Sequence, residues 1–283
     1  MKRKILSMEK TSPKVLIIVL NYVTYDMTLD MINALKKTLD YDNYSVMVID
    51  NCSPNESAIV LKEYSEKVGY IFYANKINSG YAAGNNIGLR YAIEHGYKYS
   101  WILNNDVEIK EKMVLSEMVR VLEENDEIGC IGPKIYNFDG SICAPYCNRP
   151  SMWSMTFGIF ADKSYRNKHI NTQGIVYRVY GCCMLLRNQA MSSIDCMDER
   201  TFLYGEEDIL AERLMRKSYV TYYCPWVSIV HLGSISVKKM SSKKKIAIEQ
   251  AKSMELYLKE YRKIPFFLRK VSCWVRQLII YLN

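Results

Sequence analysis

The stretch Trp101-Ile102-Leu103-Asn104-Asn105-Asp106-Val107 sets an apolar, strand-like run against a single carboxylate at its end. In open α/β sheets, ligands bind beyond the carboxyl ends of the strands, so an acid in that position can hold a metal or a ribose. The competing reading is a plain turn, because Asn and Asp tolerate left-handed geometry and hydrogen-bond their own backbone. The sequence on either side of the stretch decides between the two.

Upstream, strand-like runs at Val15 to Leu20, Val46 to Ile49 and Tyr70 to Tyr73 precede the one at Ser100 to Leu103, with segments of helix length between them. Their apolar character is continuous rather than alternating, which predicts a mainly parallel sheet covered on both faces. Helix signals fit the intervals. Asn55 is an N-cap candidate, Gly96 closes a helix from Ala82 to His95, and Glu111 to Glu124 carries Met113, Val114, Met118, Val121 and Leu122 at helical spacing. The result is a β-α-β-α series of the α/β class. After Pro133 the pattern changes to a turn at Asn137 to Ser141, an aromatic and polar stretch from Tyr146 to Thr172, and a strand-like run into Gly181 to Leu186. A nucleotide-binding half followed by a more irregular half predicts donor recognition first and acceptor recognition second.

Composition bounds the reading. At 283 residues and 49% apolar content the chain can bury one continuous core. The net charge of +8 is concentrated at the end: Lys238 to Asn283 holds twelve Lys or Arg against three Glu, leaving 26 basic against 27 acidic residues before it. That placement argues against nucleic acid, which would want basic side chains around a recognition surface. A basic segment with apolar residues suits an anionic membrane surface, with a solvated helix as the alternative. Met1-Lys2-Arg3-Lys4 resembles the start of a signal peptide, but Val15 to Leu20 is too short for its apolar core and lacks a cleavage site. No stretch of about 18 uncharged apolar residues exists to span a bilayer. The expected location is the cytoplasm, with contact to the inner face of the cell membrane. Nine scattered cysteines form no C-x-x-C pair and read as reduced core residues rather than zinc ligands.

Three strand ends deliver polar residues: Asn21-Tyr22, then Asp50-Asn51-Cys52-Ser53, then Asn75 to Asn86. Converging on one sheet edge, they make one candidate pocket. Asp50 suits the N–H of a pyrimidine base and Tyr22 its ring face, against the plainer readings of a turn residue and a core aromatic. The loop Asn78 to Asn86, with Gly80 and Asn85, offers small residues where backbone could approach a nucleotide, yet it is neither a dinucleotide fingerprint nor a P-loop. A second acidic cluster, Glu206-Glu207-Asp208, follows Phe202 and Tyr204. Acids favour the first turn of a helix for dipole reasons alone, but aromatic neighbours predict a partly enclosed site where a carboxylate can act as a base. His231 ends the apolar run from Trp226, and beside a metal-binding acid it becomes a ligand candidate.

In this order the pieces resemble an inverting glycosyltransferase of family 2, with the GT-A fold. Val48-Ile49-Asp50-Asn51-Cys52-Ser53 is similar to V-V-D-N-x-S, Asn78 to Asn86 to N-x-G-(F/Y)-A-x-G-N-N, and Ile102 to Val107 to L-L-N-P-D-(T/V). Gly132 to Ile135 and Gly181 to Leu185 resemble later landmarks, and Asp198 to Arg213 the D-E-x-F-F-x-Y-x-E-D-x-D-L-x-x-R block; the likeness covers about residues 14 to 235. The resemblance implies a nucleotide-diphosphate sugar donor bound by Asn21, Tyr22, Asp50, Asn78, Gly80, Asn85, Asn105 and Asp106. It implies Mg²⁺ or Mn²⁺ held by Asp106 with His231, and a general base among Glu207, Asp208 and Glu206. Three departures stand out: Asn104-Asn105 leaves the metal motif one carboxylate, Asn55 replaces an Asp, and Glu206-Glu207-Asp208-Ile209 replaces E-D-x-D, so Glu207 and Asp208 both stay open as the base.

The expected organisation is an extension at 1–13, a GT-A domain at 14–236 divided into 14–107 and 108–236, and a basic helical tail at 237–283. In the tail Phe267, Val271, Trp274, Leu278 and Leu282 share a stripe with Arg269 and Arg276 opposite. Such a helix could lie in a membrane interface and reach a lipid-linked saccharide acceptor, pack on the catalytic domain, or join a second copy in a homodimer. Cell-surface polysaccharide assembly, rhamnosyl transfer included, is what the family likeness implies. The rival readings are a sugar-nucleotide-binding protein without catalysis and a nucleotidyltransferase on a similar sheet.

Overall fold

A computed structural model describes residues 12–157, 169–233 and 243–282. The expected extension, apart from Ser12 and Pro13, the onset of the tail at 237, part of the Tyr146 to Thr172 stretch and the Leu282 side chain lie outside the described residues.

The strand-helix series is present. Strands β1 (Val15–Asn21), β2 (Tyr44–Asp50), β3 (Ile71–Ala74) and β4 (Tyr99–Leu103) alternate with helices α1 (Tyr25–Thr38), α2 (Ser57–Val68) and α3 (Tyr81–Glu94). They pair in parallel in the order β3-β2-β1-β4. Strand order therefore reverses beside β1, and the crevice at the carboxyl ends of β1 and β4 is the switch point where such sheets take ligands. Successive residues of β1 face opposite sides, and both sides are covered: Ile17 and Val19 join a core with α1, α2 and α4 (Val114–Glu124), while Leu16 and Ile18 join one with α3 and α6 (Asn188–Ser193). Two buried faces explain the unbroken apolar runs.

Helix α3 lies unusually close to β1. A Cβ on Gly84 would come within 2.7 Å of Leu20, and one on Gly88 within 2.8 Å of Ile18. Gly96, in the left-handed region at φ 71°, follows the end of α3 as expected. Asn55 differs from its expected role: Glu56 is the cap residue of α2, and Asn55 Oδ1 accepts from the Ser57 hydroxyl at 2.7 Å and the Ser57 N–H at 3.3 Å.

The second half adds antiparallel pairings. Strand β9 (Cys183–Arg187) sits between β4 and β6 (Ile128–Asn137), antiparallel to both, and β10 (Val220–His231) runs parallel to β6. Short β5 (Val107–Glu108) closes the edge against β10. The β6–β10 ladder breaks where Cys224 faces Pro133 but Ser228 faces Lys134, so three residues of β10 bulge out. Pro133 and Pro225 lack the N–H donors needed to carry the ladder through this point.

The chain ends in helices α8 (Lys243–Leu256), a π-turn (Tyr257–Tyr261) and α9 (Phe266–Leu282). They pack against α7 (Glu206–Met215) and the short α5 (Met152–Phe157) through Ile209, Met254, Tyr257, Leu258, Tyr261 and Cys273. Among the described residues no helix is long and apolar enough to cross a membrane.

Candidate active site

The corner after β4 is both a turn and a site. Val107 N–H closes on Asn104 O at 3.3 Å, and Asn104 N–H is fixed to Cys182 O at 2.9 Å. Pairing of Val107 with His231 across β5 and β10 then brings His231 Nε2 to 3.3 Å from Asp106 Oδ2. Two ligands of a six-coordinate Mg²⁺ or Mn²⁺, each at ~2.1 Å and at right angles, lie about 3.0 Å apart, so the spacing suits adjacent ligands. Among the described residues no group of three His, Cys, Asp or Glu side chains could hold a metal. The pair fits a site whose remaining positions are filled by ligand oxygens.

The acidic cluster opens α7 after two consecutive left-handed residues, Tyr204 at φ 69° and Gly205 at φ 83°. Its three acids have three environments. Glu206 is buried, and desolvation, reinforced by the adjacent Glu207, pushes its pKa up to about 8. Asp208 is held at 2.7 Å by Arg178 Nε; burial raises its pKa and the guanidinium opposes the rise. Glu207 Oε1 accepts the Gly181 N–H at 3.1 Å and makes no direct ion pair among the described residues, although the Arg178 guanidinium is close enough to feel its charge. One acid is thus pushed toward its neutral form by burial, one is paired with a guanidinium, and one lines the cavity on a single backbone hydrogen bond.

That cavity holds 560 Å³ and is lined by Glu206, Glu207, Asp208 and His231 of the expected residues. Asp106 stands against His231. Asn21, Tyr22, Asp50, Asn78, Gly80, Asn85 and Asn105 do not line it. Most of these brace the donor edge. Asp50 accepts from Asn21 Nδ2 at 2.7 Å and from the Ser53 hydroxyl at 2.6 Å. Asn105 Nδ2 reaches the hydroxyls of Thr24 and Thr28, both at 2.9 Å. Asn78 Oδ1 accepts from Asn51 at 3.0 Å and from Gly80 N–H at 3.1 Å, and Asn85 donates to Tyr81 O at 3.0 Å. Tyr22 is half-buried beside Val23, a β-branched residue at φ 57° whose N–H is tied to Ser53. Such an outlier marks strain at the strand end. Gly80 corrects the expectation of an open approach: a Cβ there would fall 2.2 Å from Phe202 O, so its bareness admits protein backbone, not a nucleotide.

Several residues escaped the sequence reading. Tyr81 donates to Gly181 O at 2.6 Å, and burial, then Glu207, Glu206, Cys182 and Asp106, keep its hydroxyl protonated. It thus lies between the metal-ligand candidates and the acids. Arg178, flat against Tyr146 at 3.6 Å, stays charged against the penalty of burial because Asp208 and Glu207 adjoin it. Behind them Glu212 is gripped by Arg149 through two contacts of 2.6 Å, by Tyr177 at 3.0 Å and by Tyr257 at 3.1 Å. The tail itself is a wall of the cavity, supplying Gln250, Ser253, Met254, Tyr257 and Arg276. The E-D-x-D-L-x-x-R likeness holds Glu212 within its span, but nothing local in sequence ties Arg149 or Tyr257 to it.

Comparison with known proteins gives the fold and the family. The curated hexosyltransferase Agl10 of low-salt glycan biosynthesis, from Haloferax volcanii, is 22% identical over 235 residues, 82% of this chain and 72% of that protein. The dTDP-rhamnosyl transferase RfbF of Shigella flexneri is 25% identical over 224 residues, 76% of this chain and 69% of its own. Among solved structures, the mannosyltransferase PcManGT of Pyrobaculum calidifontis, in complex with GDP-Man and Mn²⁺, superposes with a TM-score of 0.63 at 13% identity, covering 95% of this chain and 70% of that one. The fold is accordingly GT-A. The model for "Glycosyl transferase family 2" matches residues 15–193, more than half of the 283. The chain is therefore a glycosyltransferase belonging to family 2.

Proposed function

We propose that the protein is an inverting transferase that moves a sugar from a nucleotide-diphosphate donor to a saccharide acceptor in cell-surface polysaccharide assembly, with Glu207 as the general base. The observation that carries the assignment is the contrast within α7: Asp208 is bound to Arg178 and burial pushes the Glu206 carboxyl up, while Glu207 lines the cavity with one oxygen accepting the Gly181 N–H and no ion pair to an Arg or Lys among the described residues. The Gly181 N–H orients Glu207 and leaves its second oxygen for an acceptor hydroxyl. Removal of that proton sharpens the hydroxyl's attack on the anomeric carbon, and one displacement inverts it. The donor base meets the edge formed by Asn21, Tyr22 and Asp50, and its diphosphate lies toward Asp106 and His231. Asp106 and His231 would hold a Mg²⁺ or Mn²⁺ ion there, which would supply positive charge to the leaving nucleotide.

The test is a panel of nucleotide sugars assayed with and without Mn²⁺. Glu207→Gln should lower kcat by about 10²- to 10⁴-fold while donor affinity stays within twofold. Asp106→Ala should abolish the metal-dependent part of activity with the fold intact by circular dichroism. A Glu207→Gln enzyme with full turnover, alongside a dead Asp208→Asn, would move the base to Asp208; full turnover in both would remove the assignment. The cytoplasmic face of an anionic membrane is the expected place of work, because Phe267, Val271, Trp274 and Leu278 stand exposed on the outer side of α9.

A further inference from the structure

The cavity carries a positive charge that transfer to a neutral sugar hydroxyl does not need. Two arginines line it, Arg178 and Arg276. Arg178 is matched by Asp208. Arg276 has no hydrogen-bond or carboxylate partner among the described residues, yet it is half-buried, and the loss of water around it weighs against its charge, with nearby Tyr146 opposing that effect. A guanidinium held this way, with no acid beside it among the described residues, is completed by an anionic ligand.

Its position says which ligand. The donor diphosphate belongs with Asp106 and His231 at the sheet edge, whereas Arg276 reaches the cavity from α9, beside Gln250 and Tyr257 of the tail wall. Trp274 lies two residues before Arg276, which on a helix turns the two side chains roughly 200° apart. Trp274 is 64% exposed and Phe267 is 74% exposed, on the outer face, while Ser272 and Cys273 are buried toward the protein. A groove on that outer side, between α8 and α9, is lined by Ala247, Trp274, Leu278 and Tyr281, with Lys244 and Gln277 as its polar members. One helix, about 10 Å across, thus separates a cationic subsite in the cavity from an apolar surface outside it.

Resting on the transferase reading above, we propose that Arg276 is the anchor for a phosphate group of the acceptor, and that the acceptor is a saccharide joined through phosphate to a lipid whose chain passes to the outer face of α9. The sugar hydroxyl then meets Glu207 while the phosphate meets Arg276, and the helix that binds the lipid side fixes the distance between them. Arg276 is a positioning residue for the acceptor and takes no part in bond making.

The experiment uses the full chain and farnesyl diphosphate, with farnesol, inorganic pyrophosphate and a set of nucleoside diphosphates with Mn²⁺ as separate arms, each titrated by calorimetry. Wild type should bind farnesyl diphosphate saturably and more tightly than either farnesol or pyrophosphate. Arg276→Gln should weaken farnesyl diphosphate at least tenfold, Arg276→Lys by less, and neither should change the affinity for farnesol or for the nucleoside diphosphates. Absence of saturable farnesyl diphosphate binding to wild type overturns the proposal, as does equal weakening of farnesol by Arg276→Gln. A loss confined to nucleoside diphosphates assigns Arg276 to the donor instead, and pyrophosphate binding as tightly as farnesyl diphosphate removes the lipid. Glu207→Gln must keep the farnesyl diphosphate affinity. If no nucleotide sugar supports turnover while that affinity still depends on Arg276, the transferase reading fails and the anion subsite stands.

Discussion

The donor edge and the acceptor wall are built from different chemistry. At the edge proposed for the donor, Asn21, Ser53, Asn51, Asn78 and Asn105 interlock through short amide and hydroxyl side chains around the single carboxylate of Asp50, and most partners lie at the ends of adjacent strands. At the acceptor wall, charged and aromatic groups distant in the chain meet: Arg149 with Glu212, Arg178 with Asp208, Tyr261 with Asp198. The first arrangement fixes backbone, so a nucleotide bound as proposed would meet a preformed rim. The second fixes charge, so the wall gives each of the three adjacent acids of α7 a different environment. Preorganised shape on one side and preorganised electrostatics on the other are the two things a transfer between bound partners needs.

The two regions are welded at Gly80, where Tyr81 N–H donates to Phe202 O at 2.9 Å. Gly80→Ala is the strongest way to break the comparison. The residue sits at φ 97°, and a Cβ would collide with the Phe202 backbone. A loss above about 3 kcal/mol in urea unfolding is expected, with both donor affinity and turnover impaired together.

Glu212→Ala comes next. It strips Arg149, Tyr177 and Tyr257 of one shared acceptor and should cost about 2 kcal/mol, less than a fully buried pair because the Arg149 side chain is 46% exposed. The effect should fall on acceptor KM and on kcat and leave nucleotide affinity unchanged, which separates wall from edge.

Glu206→Gln should act in the opposite direction. Because the folded protein keeps on Glu206 a proton that the unfolded chain releases near its ordinary value of 4.5, wild-type stability falls as pH rises from there to about 8. The Gln variant lacks that loss. Its melting temperature should match wild type at pH 4 and exceed it by several degrees at pH 8, equivalent to about 1–2 kcal/mol. Equal pH profiles would show Glu206 to be ionised in the native state.

The smallest effect on stability is expected from Phe267→Ser with Trp274→Ser, both outward-facing, at about 0.5 kcal/mol or less. The same pair should abolish co-sedimentation with vesicles of anionic phospholipid. Unchanged vesicle binding would remove the membrane role of α9, and loss of self-association instead would assign the stripe to a second copy.

The edge was the more legible region in sequence for a physical reason. Strand periodicity, Gly96 and the Asn78 to Asn86 loop encode contacts within a β-α unit, so the four parallel strands and the Asp106 corner could be placed from the chain alone. The roles within the edge were harder. The amide of Asn105 and the bare backbone of Gly80 would suit a nucleotide equally well, and only packing shows that Asn105 reaches α1 and Gly80 meets Phe202. At the wall, the acids were visible but their division of labour was not, because it depends on Arg178 and on burial. The tail's amphipathic stripe was readable from helical spacing; the use of its other face, with Tyr257 and Arg276 lining the cavity, was not.

The bulge in β10 has a consequence for how such a chain can change. Side chains alternate along a strand, so parity alone determines on which side of the sheet a residue emerges. The three residues of β10 between Cys224 and Ser228 that face no residue of β6 reset that parity before the strand reaches His231. Adding or removing one residue there would turn the imidazole away from Asp106 without touching either residue, whereas a change of two would restore it. Insertions at this point are therefore counted modulo two, and a bulge carrying the buried Pro225 and Val227 acts as the odd-even selector for which side of the sheet His231 faces.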